Sequence, residues 1–464
     1  MTIRQPEARS VNPRLAAFKI LLRFQKNQIR DAKSSEAFSG NLKTENLLDN
    51  VIHQAVADAS ISDEDRGLLT ALTYGVLRYW WAGDAVIGHL SRFPLEKMQA
   101  ETRVLLKLAL FQIQYMDRVP DYAAVNTTVE LARKRKLSPK TVSLINGILR
   151  NFLRQKEAGA LPELKPSDWF PVWFSDQLLA HYGESAVQGL ANQWMTPPTL
   201  CVRFNTLLNT PELDVVSQAE KAFQQAGYTL MPIIVDGEGC SVLRRLSGQG
   251  GSPRQMPGYT DGWFYVQDPS SYEAACWLEV EPGQTVVDLC AAPGSKTTHL
   301  AQLMQNQGCI WAVEPSAERQ RLLLENSQRL NVSNIKPVLG DGQSFDATLL
   351  PEGLADRVLV DVPCTGTGTV HKHPEILLQI QAERSQALHE TQRGLLEKGL
   401  SLLKTDGILV YSTCSILPDE NAEIVHSVLE AVQGEAQYTL LREEQKPITQ
   451  DADGFYMAKI QRTR

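Results

Sequence analysis

Residues 285–298 read TVVDLCAAPGSKTT, a run whose residue types are ordered as strand, tight loop and helix. Thr285, Val286 and Val287 lead into Asp288, and the small residues Ala291, Ala292, Pro293 and Gly294 then make a turn. A helical pattern begins at Lys296 and runs through His299, Leu300 and Leu303. In a doubly wound sheet, ligands bind at the carboxyl ends of the strands, and small loop residues let backbone N–H groups at a helix start approach a polar ligand closely. A cofactor is expected here.

Its class follows by elimination. A phosphate-binding loop needs glycine directly before its lysine and five positions earlier, where this chain has Ser295 and Cys290. A dinucleotide fingerprint needs three spaced glycines, and this turn has only Gly294. What remains is a ligand with a small charged end and a ribose further along, as S-adenosylmethionine has. Such a ligand requires an acidic residue after the second strand, and the apolar run CIWAV (309–313) ends in Glu314.

The rhythm repeats twice. RVLVDVPCTGTG (357–368) places Asp361, Pro363 and Cys364 directly after a buried-looking strand, and GILVYSTCS (407–415) places Cys414 after another. One cysteine in an apolar segment is ordinarily a small core residue. Two at loop positions on the ligand edge, one of them in Asp-x-Pro-Cys, favour a reactive pair.

With 464 residues, two or three domains are expected. The seven cysteines are scattered without C-x-x-C spacing, which argues against a disulfide framework and against a zinc site. His371 and His373 lack further ligand spacing, so no metal is expected. Met1 to Arg14 is polar and charged, and no stretch approaches the roughly 18 apolar residues of a membrane span, so a cytoplasmic protein with no membrane partner is expected. The net charge of −7 conceals an asymmetry: residues 1–160 carry 24 Lys+Arg against 16 Asp+Glu, and the remainder 22 against 37. A basic module on an acidic body suggests that the first third helps hold a polyanion such as RNA.

Residues 13 to about 155 read as a bundle of six or seven helices. Apolar positions recur at helical spacing in Leu69, Leu72, Val76 and Tyr79, in Val104, Leu108, Phe111 and Tyr115, in Tyr122, Val125, Val129 and Ala132, and in Val142, Ile145, Leu149 and Phe152. Ser62 followed by Asp65 is a capping-box-like start, and Pro94 and Pro120 punctuate two boundaries. The basic run Arg133, Lys134, Arg135, Lys136 is a candidate for phosphate contact. A linker is expected over 155–166. Residues 167–270 read as helix to about Trp194, a strand in TLCVRFNTL, a helix over 213–226, and strands in YTLMPIIV and WFYVQD, where Arg203 and Asn205 of the first strand are candidate RNA contacts. Sheet strands follow at 285–290, 309–314, 335–339, 357–361 and 407–412, with AQYTLL and FYMAKI as a terminal hairpin at the sheet edge. The expected architecture is an all-α bundle (1–160), a small α+β subdomain (161–270) and an α/β Rossmann-like domain (271–464).

The segments VQDPSS (266–271), DLCAAPGSKT (288–297), DVPCTGTG (361–368), HKHPE (371–375), STCS (412–415) and DGFYMAKI (453–460) occur in the order found in the Sun/Fmu family of RNA cytosine-5 methyltransferases, which the chain resembles. The helices containing LLKLALFQIQYMDRVPDYAAVNTTVELA (105–132) and LINGILRNFLR (144–154) resemble the NusB-like domain that precedes the catalytic part in the branch called RsmB. The resemblance implies a class I methyltransferase domain that transfers a methyl group from S-adenosylmethionine to C5 of a cytosine in RNA, in this branch 16S ribosomal RNA, naked or in a partial ribosomal particle; a monomer is expected. It places the methionine part of the cofactor along Cys290, Ala291, Ala292, Pro293, Gly294, Ser295 and Lys296, its ribose on Glu314, its adenine near Asp341, and Asp361 beside the reacting base. Ser295 stands where many members have glycine, and Glu314 where many have aspartate. Because cytosine C5 is a poor nucleophile, a thiolate first adds to C6; the resemblance assigns that attack to Cys414 and product release to Cys364. The residues themselves leave the order open, since DNA cytosine methyltransferases attack with a Pro-Cys. Transfer RNA, large-subunit RNA or DNA as substrate, or a non-enzymatic NusB-like RNA-binding or antitermination factor, are the alternatives.

Overall fold

The computed structural model describes residues 12–31, 48, 51–52, 63–235, 238–248, 252–380, 382–432, 434 and 436–464. They divide into two compact units, one of residues up to Thr196 together with Lys372–Ile380, the other of Pro197–His371 and Gln381–Arg464.

The first unit is helical. Its described helices include Pro13–Asp31, Asp63–Arg78, Trp80–Leu90, Ala100–Tyr115, Asp121–Lys134, Pro139–Glu157 and Val172–Gln193. Helix Ala100–Tyr115 runs through the middle and is buried nearly all round, from Val104 to Ile113, as a helix apolar on every side must be. Helix Pro139–Glu157 starts where its sequence says it should: Ser138 Oγ accepts the Thr141 N–H at 3.1 Å, and Pro139 needs no N–H partner in the first turn. It buries Ile145, Ile148, Leu149 and Phe152 on one face. The expected stripes enter the core with two exceptions, the first being Tyr115 at the end of its helix, which is 39% exposed. Tyr122 is 69% exposed, because helix Asp121–Lys134 turns Ala124, Val125, Thr128, Leu131 and Ala132 inward instead. Ser62 lies outside the described residues.

Two segments join this unit that the sequence reading placed elsewhere. Helix Val172–Gln193, expected to open the α+β subdomain, belongs here because Trp194 Nε1 donates to the Arg78 carbonyl at 2.8 Å and stacks edge-on against Phe170. Residues Lys372–Ile380 also pack here: Leu378 joins the helical core, and buried Glu375 accepts the Leu48 N–H at 3.1 Å.

The second unit holds two sheets. The smaller has strands β1 (Leu200–Phe204), β2 (Thr229–Val235), β3 (Glu238–Ser247) and β4 (Phe264–Val266) in the antiparallel order β2-β3-β1-β4, with helix Val215–Gln225 packing Ala219 and Phe223 against Val202, Phe204 and Phe264. Strand β3 is absent from the sequence reading; Arg244 and Arg245 interrupt its apolar pattern, and both find carboxylate partners, Glu220 and Asp451.

The larger sheet has β5 (Thr285–Asp288), β6 (Cys309–Glu314), β7 (Ile335–Leu339), β8 (Ala355–Asp361), β9 (Leu403–Thr413), β10 (Tyr438–Lys446) and β11 (Phe455–Arg462), ordered β10-β11-β9-β8-β5-β6-β7. Strands β5 to β9 are parallel, and the β10–β11 hairpin is added antiparallel beyond β9, at the edge where it was expected. Alternate residues feed opposite faces: Val358, Val360, Leu409 and Tyr411 pack with helices Ala382–Ser401 and Ala422–Ala431, while Leu359, Ile408 and Val410 pack with Pro269–Trp277 and Ser295–Leu303. Both faces are covered, as a parallel sheet requires. The chain runs from β5 outward through β6 and β7, then returns to β8 on the other side of β5. That reversal opens a crevice at the carboxyl ends of β5 and β8.

Candidate active site

The loop after β5 is built around Asp288. This carboxylate is almost fully buried, accepting the Thr297 hydroxyl at 2.7 Å and the Cys290 N–H at 3.3 Å, so it ties the helix start to the loop it follows. Burial pushes its pKa up to about 7. Gly294 closes the turn with φ +101°, and its N–H donates to the Ala291 carbonyl at 2.9 Å. A Cβ there would stand 2.6 Å from Leu323 Cδ1, so glycine is required twice over, for conformation and for space. From outside, Arg319 donates to the Ala292 carbonyl at 2.5 Å and Asn326 to that of Pro293 at 3.1 Å.

Four carboxylates line the strand ends: Asp288 ends β5, Glu314 ends β6, Asp341 follows β7, and Asp361 ends β8. Glu314 is 1% exposed and accepts the Ser316 N–H at 3.0 Å, with Arg319 at 3.4 Å. Asp341 is exposed and caps the following turn through the Gln343 N–H at 3.0 Å; the neighbouring Gly340 N–H bonds the Glu314 carbonyl at 3.2 Å. Asp361 accepts the Lys296 ammonium at 2.7 Å on one oxygen and the Ser412 hydroxyl at 2.7 Å on the other. Burial alone would lower the Lys296 pKa, but Asp361 outweighs it and the ammonium is held above its usual value. Lys296, at the end of the loop expected along the methionine part, is thus paired with Asp361. The Cys290 thiol is raised well above its usual range by burial first, and then by the charges of Asp288, Asp361 and Glu314, which places the loop among these acids. A set of acceptors on adjacent strand ends suits a ligand that presents an ammonium, a sulfonium, a ribose diol and an exocyclic amine, as S-adenosylmethionine does.

The two cysteines meet. Cys364 Sγ lies 3.3 Å from Cys414 Sγ, and the Gly368 N–H donates to the Cys414 carbonyl at 2.8 Å, binding the two loops together. The Cys364 pKa is raised well above the usual thiol range by the hydrogen bond with Cys414, then by burial, so Cys364 is held as a thiol. Lys296 also interacts electrostatically with Cys414, which brings the cofactor loop to the sulfur pair.

Other candidates are placed differently. Arg203 and Asn205, expected to face RNA, are 1% and 2% exposed. Arg203 donates to Gln267 Oε1 at 2.6 Å, to the Ser295 carbonyl at 3.2 Å and to Thr298 Oγ1 at 3.1 Å, supporting the cofactor loop from beneath. Asn205 donates to the carbonyls of Gly262 and Leu330 at 3.0 and 2.8 Å. Both are therefore interior residues that join the small sheet to the large one. Arg133, Lys134, Arg135 and Lys136 are exposed at the end of helix Asp121–Lys134, with Lys134 paired to Glu130 and Arg135 to Glu101. His371 is buried in the second unit, and His373 lies in the first, 3.5 Å from Glu375. Among the described residues no cluster of three or more His, Cys, Asp or Glu side chains could hold a metal ion, and no helix is long and apolar enough to cross a membrane.

The doubly wound sheet, its small-residue loop and its row of strand-end acids define a class I methyltransferase that uses S-adenosylmethionine. The family model described as 16S rRNA methyltransferase RsmB/F matches residues 275–461, and that of the NusB family matches 11–154. A relative from Synechocystis, named probable ribosomal RNA small subunit methyltransferase B, is 34% identical over 394 residues, 84% of this chain and 86% of its own. Ribosomal RNA small subunit methyltransferase B of Escherichia coli K12 is 32% identical over 86% of this chain and 91% of its own. Among solved structures, PH0851 is similar over 98% of this chain and all of its own (TM-score 0.72, 21% identity). A methyltransferase homolog from Pyrococcus horikoshii covers 63% of this chain and 95% of its own (TM-score 0.53, 28% identity). The chain belongs to the RsmB/F family and is an S-adenosylmethionine-dependent RNA methyltransferase.

Proposed function

We propose that this protein methylates C5 of a cytosine in small-subunit ribosomal RNA through a covalent bond between Cys414 and C6 of the base. The observation that carries this reading is the 3.3 Å approach of the Cys364 and Cys414 sulfurs on the cofactor edge of the sheet. The names of the Synechocystis and Escherichia coli relatives, both ribosomal RNA small subunit methyltransferase B, support the choice of RNA.

The Cys414 thiolate forms an S–C6 bond and leaves an enamine whose C5 is nucleophilic. Cys290 to Lys296, with Glu314 for the ribose and Asp341 for the adenine, would hold S-adenosylmethionine, which would supply an electrophilic methyl group and depart as S-adenosylhomocysteine. A base then takes the C5 proton, the C–H electron pair re-forms the C5=C6 bond, and the S–C6 bond breaks to return the thiolate. Asp361, bridged to Lys296 and Ser412, is set to hydrogen-bond the base edge. Cys364, held as a thiol by its neighbour and by burial, suits a role in release rather than in attack. The ammonium of Lys296 offers positive charge to the attacking sulfur.

Incubation with labelled S-adenosylmethionine and unmethylated small-subunit RNA tests the reading. Cys414→Ala should transfer no label, and Cys364→Ala should accumulate an RNA adduct stable on a denaturing gel. If the two variants exchange behaviour, the roles are reversed; if both retain wild-type labelling without adduct, the covalent mechanism fails.

A further inference from the structure

One carboxylate lies between the two cysteine loops. Glu420 is fully buried. Its Oε1 accepts the Thr365 N–H at 2.8 Å and Gln392 Nε2 at 3.1 Å, and its Oε2 accepts the hydroxyls of Thr365 at 2.5 Å and Ser415 at 2.6 Å. Thr365 follows Cys364 and Ser415 follows Cys414, so a single side chain grips the residue after each sulfur. Gln392 also donates to the Pro363 carbonyl at 3.0 Å, and Tyr411 OH donates to the Glu420 carbonyl at 2.8 Å. The adjacent Asn421 continues the tie, accepting the Thr413 hydroxyl at 2.6 Å and donating to the Ser415 carbonyl at 2.9 Å.

Burying a carboxylate is costly, and here all four of its donors are neutral. A carboxylate is nevertheless the side chain that accepts four hydrogen bonds without donating one; the Thr365 backbone amide cannot reverse, and Gln392 Nε2 is held toward Glu420 by its second bond to the Pro363 carbonyl. Its shape and acceptor count match the gap between the loops.

We propose that Glu420 is a positioning residue that sets the separation of the Cys364 and Cys414 sulfurs, and thereby the passage from adduct to release. This rests on the cysteine-pair reading above. Glu420 touches neither sulfur; it acts through Thr365 and Ser415.

The test compares wild type with Glu420→Ala and Glu420→Gln by steady-state kinetics, thermal melting and a chemical ruler of sulfur separation. The ruler is the rate at which diamide oxidises the pair: two thiols each lose a proton and an electron, the Sγ–Sγ bond forms, and diamide is reduced to its hydrazine. Peptide mass spectrometry distinguishes the Cys364–Cys414 product from reaction at the other cysteines. In Glu420→Ala the disulfide should form at least about tenfold more slowly, and kcat should fall on the order of 100-fold, as an ångström of misplacement does, with KM for RNA within about threefold. Glu420→Gln can turn its NH2 toward the two hydroxyls, which can reverse, and should stay within about tenfold of wild type on both readouts. Should Glu420→Ala not fold, Ser415→Ala removes one strand of the tie and should slow both the disulfide and kcat, each by less than the loss of all four bonds would. A folded Glu420→Ala with wild-type kcat and disulfide rate overturns the proposal, as does a Glu420→Gln impaired like the alanine variant. A Cys414→Ala protein that methylates at the wild-type rate would defeat the cysteine mechanism, while the disulfide rates in the Glu420 variants would still report whether Glu420 sets the spacing.

Discussion

Replacing Gly294 by alanine probes the cofactor loop at its tightest point. Gly294 has φ +101°, and an L side chain in left-handed backbone costs about 1–2 kcal/mol. The added methyl would sit 2.6 Å from Leu323 Cδ1. Leu323 cannot swing clear, because it is fully buried among Ala291, Ala292 and Ala312. Overpacking of that kind adds about 1–3 kcal/mol, for a total of roughly 2–5 kcal/mol. Relief comes most readily by displacing the loop 290–293, and at about 1.4 kcal/mol per tenfold, even the lower bound weakens S-adenosylmethionine binding roughly 30-fold. Calorimetric titration with the cofactor, together with thermal melting, reads both parts. Gly88→Ala is the control, since an alanine Cβ there meets nothing within 4 Å. A Gly294→Ala protein that binds the cofactor within twofold of wild type and melts within a degree of it would refute the reasoning.

Three further outcomes are expected. Arg203→Met should weaken cofactor binding severalfold, because Ser295 and Thr298 lose their donor, while the salt dependence of RNA binding stays unchanged; a slope reduced by about one would return Arg203 to the RNA surface. Replacing Arg133, Lys134, Arg135 and Lys136 together by glutamine should lower the salt slope by up to about 2–3, and an unchanged slope would remove this run from the phosphate contacts. Lys107 is fully buried in the helical unit, 2.9 Å from Asp84, and burial lowers its pKa to about 8. Between about pH 8 and 10.5 the unfolded chain binds the extra proton, so stability rises with pH across that window. Asp84→Asn removes the partner that holds the proton on Lys107 and should cost about 1–2 kcal/mol at pH 7, since neutralising a group one unit below its pKa costs about 1.4 kcal/mol, a gap that narrows by pH 9.5, where Lys107 is neutral in both proteins; urea unfolding at the two pH values decides it, and a widening gap would contradict the assignment.

The legible parts of this chain were those governed by local pattern. Strands β6 and β7 fall where their apolar runs lie, and the terminal hairpin pairs at the sheet edge as its two apolar runs suggested. The small-residue turn lies after β5 as its residue types suggested, and the two cysteines lie after β8 and β9 as their segments suggested. What escaped depends on partners distant in sequence. Arg203 reads as a solvated cation until Ser295 and Thr298, 92 and 95 positions away, are known to accept its donors. Strand β3 hides its pattern behind two arginines whose carboxylates lie elsewhere, and Glu420 looks like any acidic turn residue until Thr365 and Ser415 converge on it.

The path of Lys372–Ile380 bears on how the protein can be dissected. These residues leave the strand-and-loop body just after His371, bury Leu378 and Glu375 with the helices, and return at Gln381. Truncating the first 155 residues would strip this excursion of surroundings it packs against, removing the helical core around Leu378 and leaving the Glu375 carboxylate without the Leu48 amide. The helical portion is therefore not a severable attachment. A shortened protein that fails to bind RNA would say as much about an unpacked stitch in the chain as about lost basic residues, and point substitutions on the intact polypeptide are the sounder instrument.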